Sequence, residues 1–343
     1  MRKIMKKVRV EDAVGMVLPH DMTRIIPGKF KGVAFKKGHV LREEDIPELL
    51  KLGKQTLYVL NLSNNYVHED DGALRIASSI CGDGIRYTNP SEGKSAIICE
   101  TDGLLKINVT GLLKINKLDN IIISTIRTNF PCKKDQIVGG TRIIPLIVSR
   151  KQIERVEAIA KKHEPVISLM PYRKLKVGAV VTGSELYEGL IKDEFDKFVG
   201  SKVSDFGSEV VKKILVPDDL KMIADAINEL VDFGCELILT TGGLSVDPDD
   251  VTKQGVKKAG GKIIVYGSPI LPGAMFLHAT VKDVPILGLP ACVYYNATTI
   301  FDLVFPRVLA GDKITKAEIA QMGHGGFCMN CKKCQYPVCP FGK

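Results

Sequence analysis

After Pro171 the chain settles into strict alternation of short apolar runs with amphipathic ones, and no other feature limits its fold as much. Leu175–Val181 reads as a strand, residues 193–206 as a helix, and Glu209–Val216 as the next strand. Residues 218–233 read as a helix because Leu220, Ile223, Ala226, Ile227 and Leu230 recur at three-and-four spacing on one face. Glu236–Thr240 is nearly all apolar, the pattern of a strand covered on both faces. A helix over 249–259, strands over Lys262–Tyr266 and Pro285–Leu289, and a last helix over 297–309 complete the series. Such alternation predicts an α/β fold with a doubly wound, mostly parallel sheet. Sheets of that kind bind ligands at the carboxyl ends of their strands.

The first half is organised differently. Residues 1–71 read as a small β-rich module, with extended runs at Gly15–Leu18, Gly32–Phe35 and Thr56–Leu60 and one helical stretch at Glu43–Leu52. Residues 72–150 read as an α+β module of unassigned role, with a helix at Ala73–Cys81 and strands at Ser95–Cys99 and Asn120–Ser124. Within it Gly103-Leu104-Leu105-Lys106-Ile107-Asn108 recurs as Gly111-Leu112-Leu113-Lys114-Ile115-Asn116. Two copies are too few for a solenoid, so two similar strand-and-turn units, or chance, account for the repeat. Residues 151–173 read as a linker helix closed by Pro165 and Pro171, 174–312 as the alternating domain, and 313–343 as a short cysteine-rich tail.

Composition narrows the partners. Hydrophobic residues at 45% and charged residues at 25% are values of an ordinary soluble protein. No apolar run reaches a membrane span, and the basic start lacks the apolar core of a signal peptide, so no membrane and a cytoplasmic location are expected. The net charge of +9 comes from scattered lysines without an aromatic-interleaved basic stripe, which argues against a nucleic-acid partner.

Three loops follow three of the expected strands. The first, Thr182-Gly183-Ser184-Glu185-Leu186, places a carboxylate just past a strand end. The second runs from Thr241-Gly242-Gly243-Leu244-Ser245 through Asp249-Asp250 into a helix. Its glycines allow a tight turn that exposes backbone amides, and amides at a helix start suit a phosphate. The acidic pair behind them suits a divalent cation. The third is Gly288-Leu289-Pro290, leading into the last helix.

Taken in order with Val216-Pro217-Asp218-Asp219 and Leu271-Pro272-Gly273, these loops resemble the molybdopterin-binding fold, and most closely the molybdopterin molybdotransferase family of molybdenum-cofactor biosynthesis. Lys36-Lys37-Gly38-His39-Val40-Leu41 with residues 46–59 is more weakly similar to a small module of that family. The resemblance implies that Thr182, Gly183, Ser184, Thr241, Gly242, Gly243, Ser245, Pro272, Gly273 and Pro290 line a pterin and phosphate site. It implies catalytic positions at Glu185, Asp218, Asp219, Asp249 and Asp250, with Asp249 and Asp250 near Mg²⁺. The implied ligand is molybdopterin or its adenylylated form, and the implied reaction is Mg²⁺-assisted insertion of molybdate or tungstate. A homodimer and contacts with molybdoenzyme or cofactor-assembly partners are implied as well.

Two departures weigh on the activity. Pro269-Ile270-Leu271-Pro272-Gly273-Ala274-Met275 lacks the lysines of the family's segment, and Ala291-Cys292-Val293 replaces its Gly-Asn-Pro. A non-catalytic molybdopterin carrier or sensor is therefore an alternative. A nucleotide pyrophosphatase-like relative is another, because the second loop also resembles the damage-inducible competence proteins.

Of nine cysteines, Cys81, Cys99, Cys132, Cys235 and Cys292 are dispersed and read as small buried hydrophobes. Cys328, Cys331, Cys334 and Cys339 crowd the tail as C-x₂-C-x₂-C-x₄-C-P, which points to metal in a chain without an export signal. The spacing resembles iron–sulfur ligation in ferredoxins, with structural zinc and a metal-free tail as the alternatives. Nearby Lys332 and Lys333 suggest a tail that docks on, or senses, the metal cofactor.

Overall fold

A computed structural model describes residues 5–26, 30–60, 65–144, 146–245 and 251–342. The chain divides into two compact units. The first comprises 1–101, 105–128 and 132–169, and the second comprises 102–104, 129–131 and 170–343. Among the described residues no helix is long and apolar enough to cross a membrane.

In the first unit Met5–Arg9 pairs antiparallel with Thr56–Leu60, and Met22–Ile26 with Phe30–Phe35. The expected helix is shorter than its apolar pattern: a 3-10 turn at Glu43–Asp45 precedes Ile46–Lys51. Gly15–Leu18 forms no strand; Val17 makes only isolated bridges to Val40 and Leu60. Pro19, which offers no amide, ends that run at once.

A four-stranded antiparallel sheet follows, in the order Ile85–Tyr87, Lys94–Cys99, Ile137–Ile143 and Ile121–Thr125. The helix Glu69–Ile80 packs on it and on a second helix, Arg150–Lys162. The second helix buries Ile153, Val156 and Ala160, and Arg75 grips Glu157 through two 2.8 Å bonds. It is thus a core element of the first unit, and Ile167–Pro171 beyond it is a strand.

The hexapeptide repeat splits between two structures. The first copy is the strand Gly103–Ile107, with Leu104 and Leu105 fully buried. The second lies inside the helix Val109–Asn116, where Leu113 is exposed and Ile115 is buried. Asn108 accepts a bond from the Gly111 amide at 3.0 Å and so caps that helix. Burial on both faces selects the strand in one copy, and the cap with one-sided burial selects the helix in the other.

The second unit holds a six-stranded sheet in the order Glu209–Val216, Lys176–Thr182, Leu237–Thr241, Val284–Leu289, Leu277–Val281 and Lys262–Tyr266. The first four run parallel, as the alternation predicts. Leu277–Val281 is an antiparallel strand that the apolar pattern does not announce. The helical segment expected at 193–206 is a π turn, Asp196–Gly200, continued by Ser201–Asp205. Alternate residues of the central strand enter opposite cores: Leu237 and Leu239 join one, Ile238 the other. That two-sided burial is why its sequence reads as an unbroken apolar run.

The last long helix, Ile300–Leu309, starts at a Thr299 cap and carries a buried cation. Arg307 is 1% exposed and bonds Asp312 at 2.6 Å and Glu318 at 2.8 Å. Burial works to raise the Glu318 pKa, but the bonds from Arg307 and Thr315 outweigh it and hold the carboxyl below its ordinary value. Removing one partner of a buried ion pair leaves the others uncompensated. Arg307→Met is expected to destabilise the protein by about 3–5 kcal/mol in urea unfolding.

His278, in the antiparallel strand, is 6% exposed, and its Nδ1 finds no partner among the described residues. Burial, aided by Arg307, pushes its pKa down to about 4 from 6.5. The unfolded chain therefore binds a proton in that window that the native state refuses. The contribution is fully present above pH 6.5 and is lost as pH falls toward 4. It amounts to about 3 kcal/mol. His278→Asn is expected to flatten that part of the stability–pH profile.

Candidate functional site

The carboxyl ends of three neighbouring parallel strands, Lys176–Thr182, Leu237–Thr241 and Val284–Leu289, deliver the three loops to one edge of the sheet. The central loop is the most tightly built. Gly242 and Gly243 both have positive φ, 87° and 57°. A Cβ on Gly242 would run into the carbonyl oxygen of Thr182, and one on Gly243 into the Thr252 hydroxyl. At Gly242 no other residue type fits without shifting backbone, and at Gly243 a side chain would displace Thr252 and strain a left-handed φ.

Three threonines brace this turn. The Thr182 hydroxyl donates to the Thr241 carbonyl at 3.1 Å and lies 3.4 Å from the Thr252 hydroxyl. Thr252 donates its hydroxyl to the Gly242 carbonyl at 3.0 Å and its amide to the Gly243 carbonyl at 3.1 Å. The Tyr294 hydroxyl donates to the Thr241 hydroxyl at 3.0 Å, and burial raises its pKa, so it stays a donor. Farther along, the Tyr266 hydroxyl donates to the Leu244 carbonyl at 2.8 Å. The ammonium of Lys253 stands 4.0 Å above the Tyr266 ring. Thr240, at the end of the same strand, has a buried hydroxyl without a partner among the described residues.

The first loop turns at Gly183 into the short helix Ser184–Tyr187. Asp218 accepts from the Ser184 amide at 3.0 Å and from its hydroxyl at 3.3 Å. Asp219 caps the helix Leu220–Asp232 by accepting from the Met222 amide at 2.8 Å. In the structure these two carboxylates hold backbone. Glu185 is exposed beside them. Ser245 is exposed at the end of the central turn, and Asp249 and Asp250 lie outside the described residues.

Pro272 and Gly273 belong to the same unit, where the Pro272 carbonyl accepts from the Ile300 amide at 3.3 Å and Gly273 packs against Ile300. Pro290 is buried and precedes the 3-10 turn Ala291–Tyr294. No lysine stands at Ala274 or Ala291. Lys202 reaches this region, but the Asp302 carboxylate at 2.6 Å and the Ala297 carbonyl at 2.8 Å hold its ammonium. Thr252, Tyr266, Lys253 and Tyr294 were not singled out from sequence. Only Thr252 carried a signal, as a hydroxyl at a helix start after a double glycine.

Among the described residues no group of three or more His, Cys, Asp or Glu side chains meets as a ligand set for a metal ion. The tail cysteines are free thiols, and all four line one cavity of about 210 Å³ instead of meeting at a point.

Residues 178–310 match the family described as "Probable molybdopterin binding domain", and residues 7–61 match a domain of unknown function. That first match falls within the alternating half of the chain and covers 133 of its 343 residues. Among curated relatives, a CinA-like protein of Petrotoga mobilis is 31% identical over 125 residues, which is 36% of this chain and 31% of that protein. A CinA-like protein of Thermotoga maritima is 38% identical over 85 residues, 24% of this chain and 21% of that protein. The chain thus matches less than a third of the length of these relatives. Among solved structures, the molybdopterin biosynthesis enzyme MoaB from Thermus thermophilus is 20% identical, with a TM-score of 0.34 over 40% of this chain and 98% of that one.

The bracing of the turn can be measured. Thr252→Val removes the donor to Gly242 and leaves that carbonyl unpaired. The expected cost is about 1–3 kcal/mol in denaturant unfolding, with faster amide exchange confined to the loop after Thr241.

Proposed function

We propose that the second unit binds molybdopterin, or its adenylylated form, with the phosphate on the amides of the Gly242–Gly243 turn. The observation that carries this reading is that turn: two left-handed glycines without side chains of their own, pressed against Thr182 and Thr252. Backbone donors fixed in this way suit a phosphate because they need no reorganisation when it arrives. Lys253, held over Tyr266 beside Leu244, supplies the cation that Ala274 does not. Thr182, Gly183, Ser184, Pro272, Gly273 and Pro290 shape the rest of the pocket, and Ser245 adds a hydroxyl at its rim.

Mg²⁺-assisted insertion of molybdate is the finer reading, and it would draw on Glu185 with Asp249 and Asp250. The described carboxylates fit a cation poorly, since Asp218 and Asp219 already accept from the Ser184 and Met222 amides. A second reading, in which the same turn holds a nucleotide phosphate, rests on the resemblance of the second loop to the damage-inducible competence proteins.

Anaerobic titration calorimetry with molybdopterin tests the proposal. The wild type is expected to bind, and Lys253→Gln to bind about tenfold more weakly with a smaller salt dependence. Absence of binding by the folded wild type at tens of micromolar would overturn it. Incubation with adenylylated pterin, Mg²⁺ and molybdate then separates the finer readings. AMP release with metal insertion marks a transferase, retention without turnover a carrier, and cleavage of unrelated dinucleotides the nucleotide reading.

A further inference from the structure

Among the described residues the tail contains no helix or strand after Gln321, yet it is tied down at both ends. Leu271 and Phe327 form a parallel bridge, with the Leu271 amide donating to Gly326 and the Cys328 amide donating to Leu271, both at 2.8 Å. At the far end the Gly342 amide donates to the Gly325 carbonyl at 2.9 Å and closes the segment into a loop. Phe341, 3% exposed, plugs this loop into the main core, and the Tyr336 hydroxyl donates to the Asp302 carbonyl at 2.9 Å. All four tail cysteines lie inside the closed loop and on the wall of the same cavity. Thr298, 5% exposed, brings its hydroxyl to 3.1 Å from the Cys334 sulfur.

We propose that this cavity is a metal centre that takes a [4Fe–4S] cluster on Cys328, Cys331, Cys334 and Cys339. The thiols are free, and their C-x₂-C-x₂-C spacing is that of cluster-binding loops. Space separates the cluster from a single zinc ion. Four sulfurs on one zinc stand about 3.8 Å apart, given Zn–S bonds near 2.3 Å, and leave no room between them. Here no three of the ligands meet at single-ion spacing, and all four lie on the wall of an open pocket of about 210 Å³. A water molecule needs only about 10–15 Å³ measured this way. Phe327, Met329 and Tyr295 form an apolar rim, and Lys332 and Lys333 put positive charge beside an anionic cluster. The Thr298 hydroxyl, 3.1 Å from the Cys334 sulfur, would donate to that sulfur once it is a thiolate ligand, the kind of bond that tunes a cluster's potential. The centre stands apart from the reading of the pterin turn, although Leu271 joins the tail directly to Pro272-Gly273.

The test is anaerobic reconstitution of the full chain with ferrous iron and sulfide. The expected result is about four irons and four sulfides per chain, with a broad visible charge-transfer band that dithionite bleaches. Cys331 and Cys334 are exposed, so the double variant Cys331→Ser/Cys334→Ser should keep the wild-type unfolding midpoint and lose at least tenfold in bound iron. Alkylation of the wild type, read by mass spectrometry, should show the four tail thiols protected only when loaded, and it does not depend on any variant folding. One zinc per chain that displaces iron and protects the same thiols would overturn the assignment. Folded wild type that binds neither iron nor sulfide would overturn it equally.

Discussion

Gly242 cannot carry a side chain because Thr182 already occupies the space, and Thr182 is there because its strand runs parallel and in register beside Leu237–Thr241. That contact ties the shape of the central turn to the alignment of two strands. Thr252 then fixes the turn from the helix side by bonding the Gly242 carbonyl. On the proposed reading a phosphate would meet a turn that is already braced, so the ordering cost is borne when the protein folds.

The same sheet governs how charge is used at its edge. The central strand Leu237–Thr241 is buried throughout, and its polar residues Thr240 and Thr241 stand at its carboxyl end, beside the loops that carry the carboxylates. Asp218 and Asp219 look like reactive carboxylates in a linear reading, yet each sits one bond from an amide that would otherwise lack a partner. Lys253 lies over the Tyr266 ring, near Leu244, with no carboxylate partner among the described residues. Burial acts in the opposite direction at His278, whose imidazole is held neutral in the same sheet.

The parallel core was legible because burial on both faces leaves a plain apolar run, as in Leu237–Thr241, and because amphipathic spacing marks Leu220–Asp232. The three loops were legible because glycine and acidic residues follow those runs directly. Leu277–Val281 was not, since it follows the Pro272-Gly273 loop without a helix to set it off and carries a histidine. The two copies of Gly-Leu-Leu-Lys-Ile-Asn mark the limit of local reading: tertiary burial makes one a strand and an Asn108 cap makes the other a helix. At the site, the braces Tyr294 and Tyr266 come from distant segments, and no spacing rule connects them to Thr241 or Leu244. The carboxylates were assigned by type and place, and their amide partners appear only in three dimensions.

The central claim is that the Gly242–Gly243 turn is the phosphate-binding element. Amide hydrogen exchange of the full chain, measured with and without molybdopterin, tests it most directly. The account predicts slowed exchange at the amides of Gly242, Gly243 and Leu244, with smaller effects at Gly183 and Ser184. Protection confined to other loops, with these amides unchanged under saturating ligand, would contradict it.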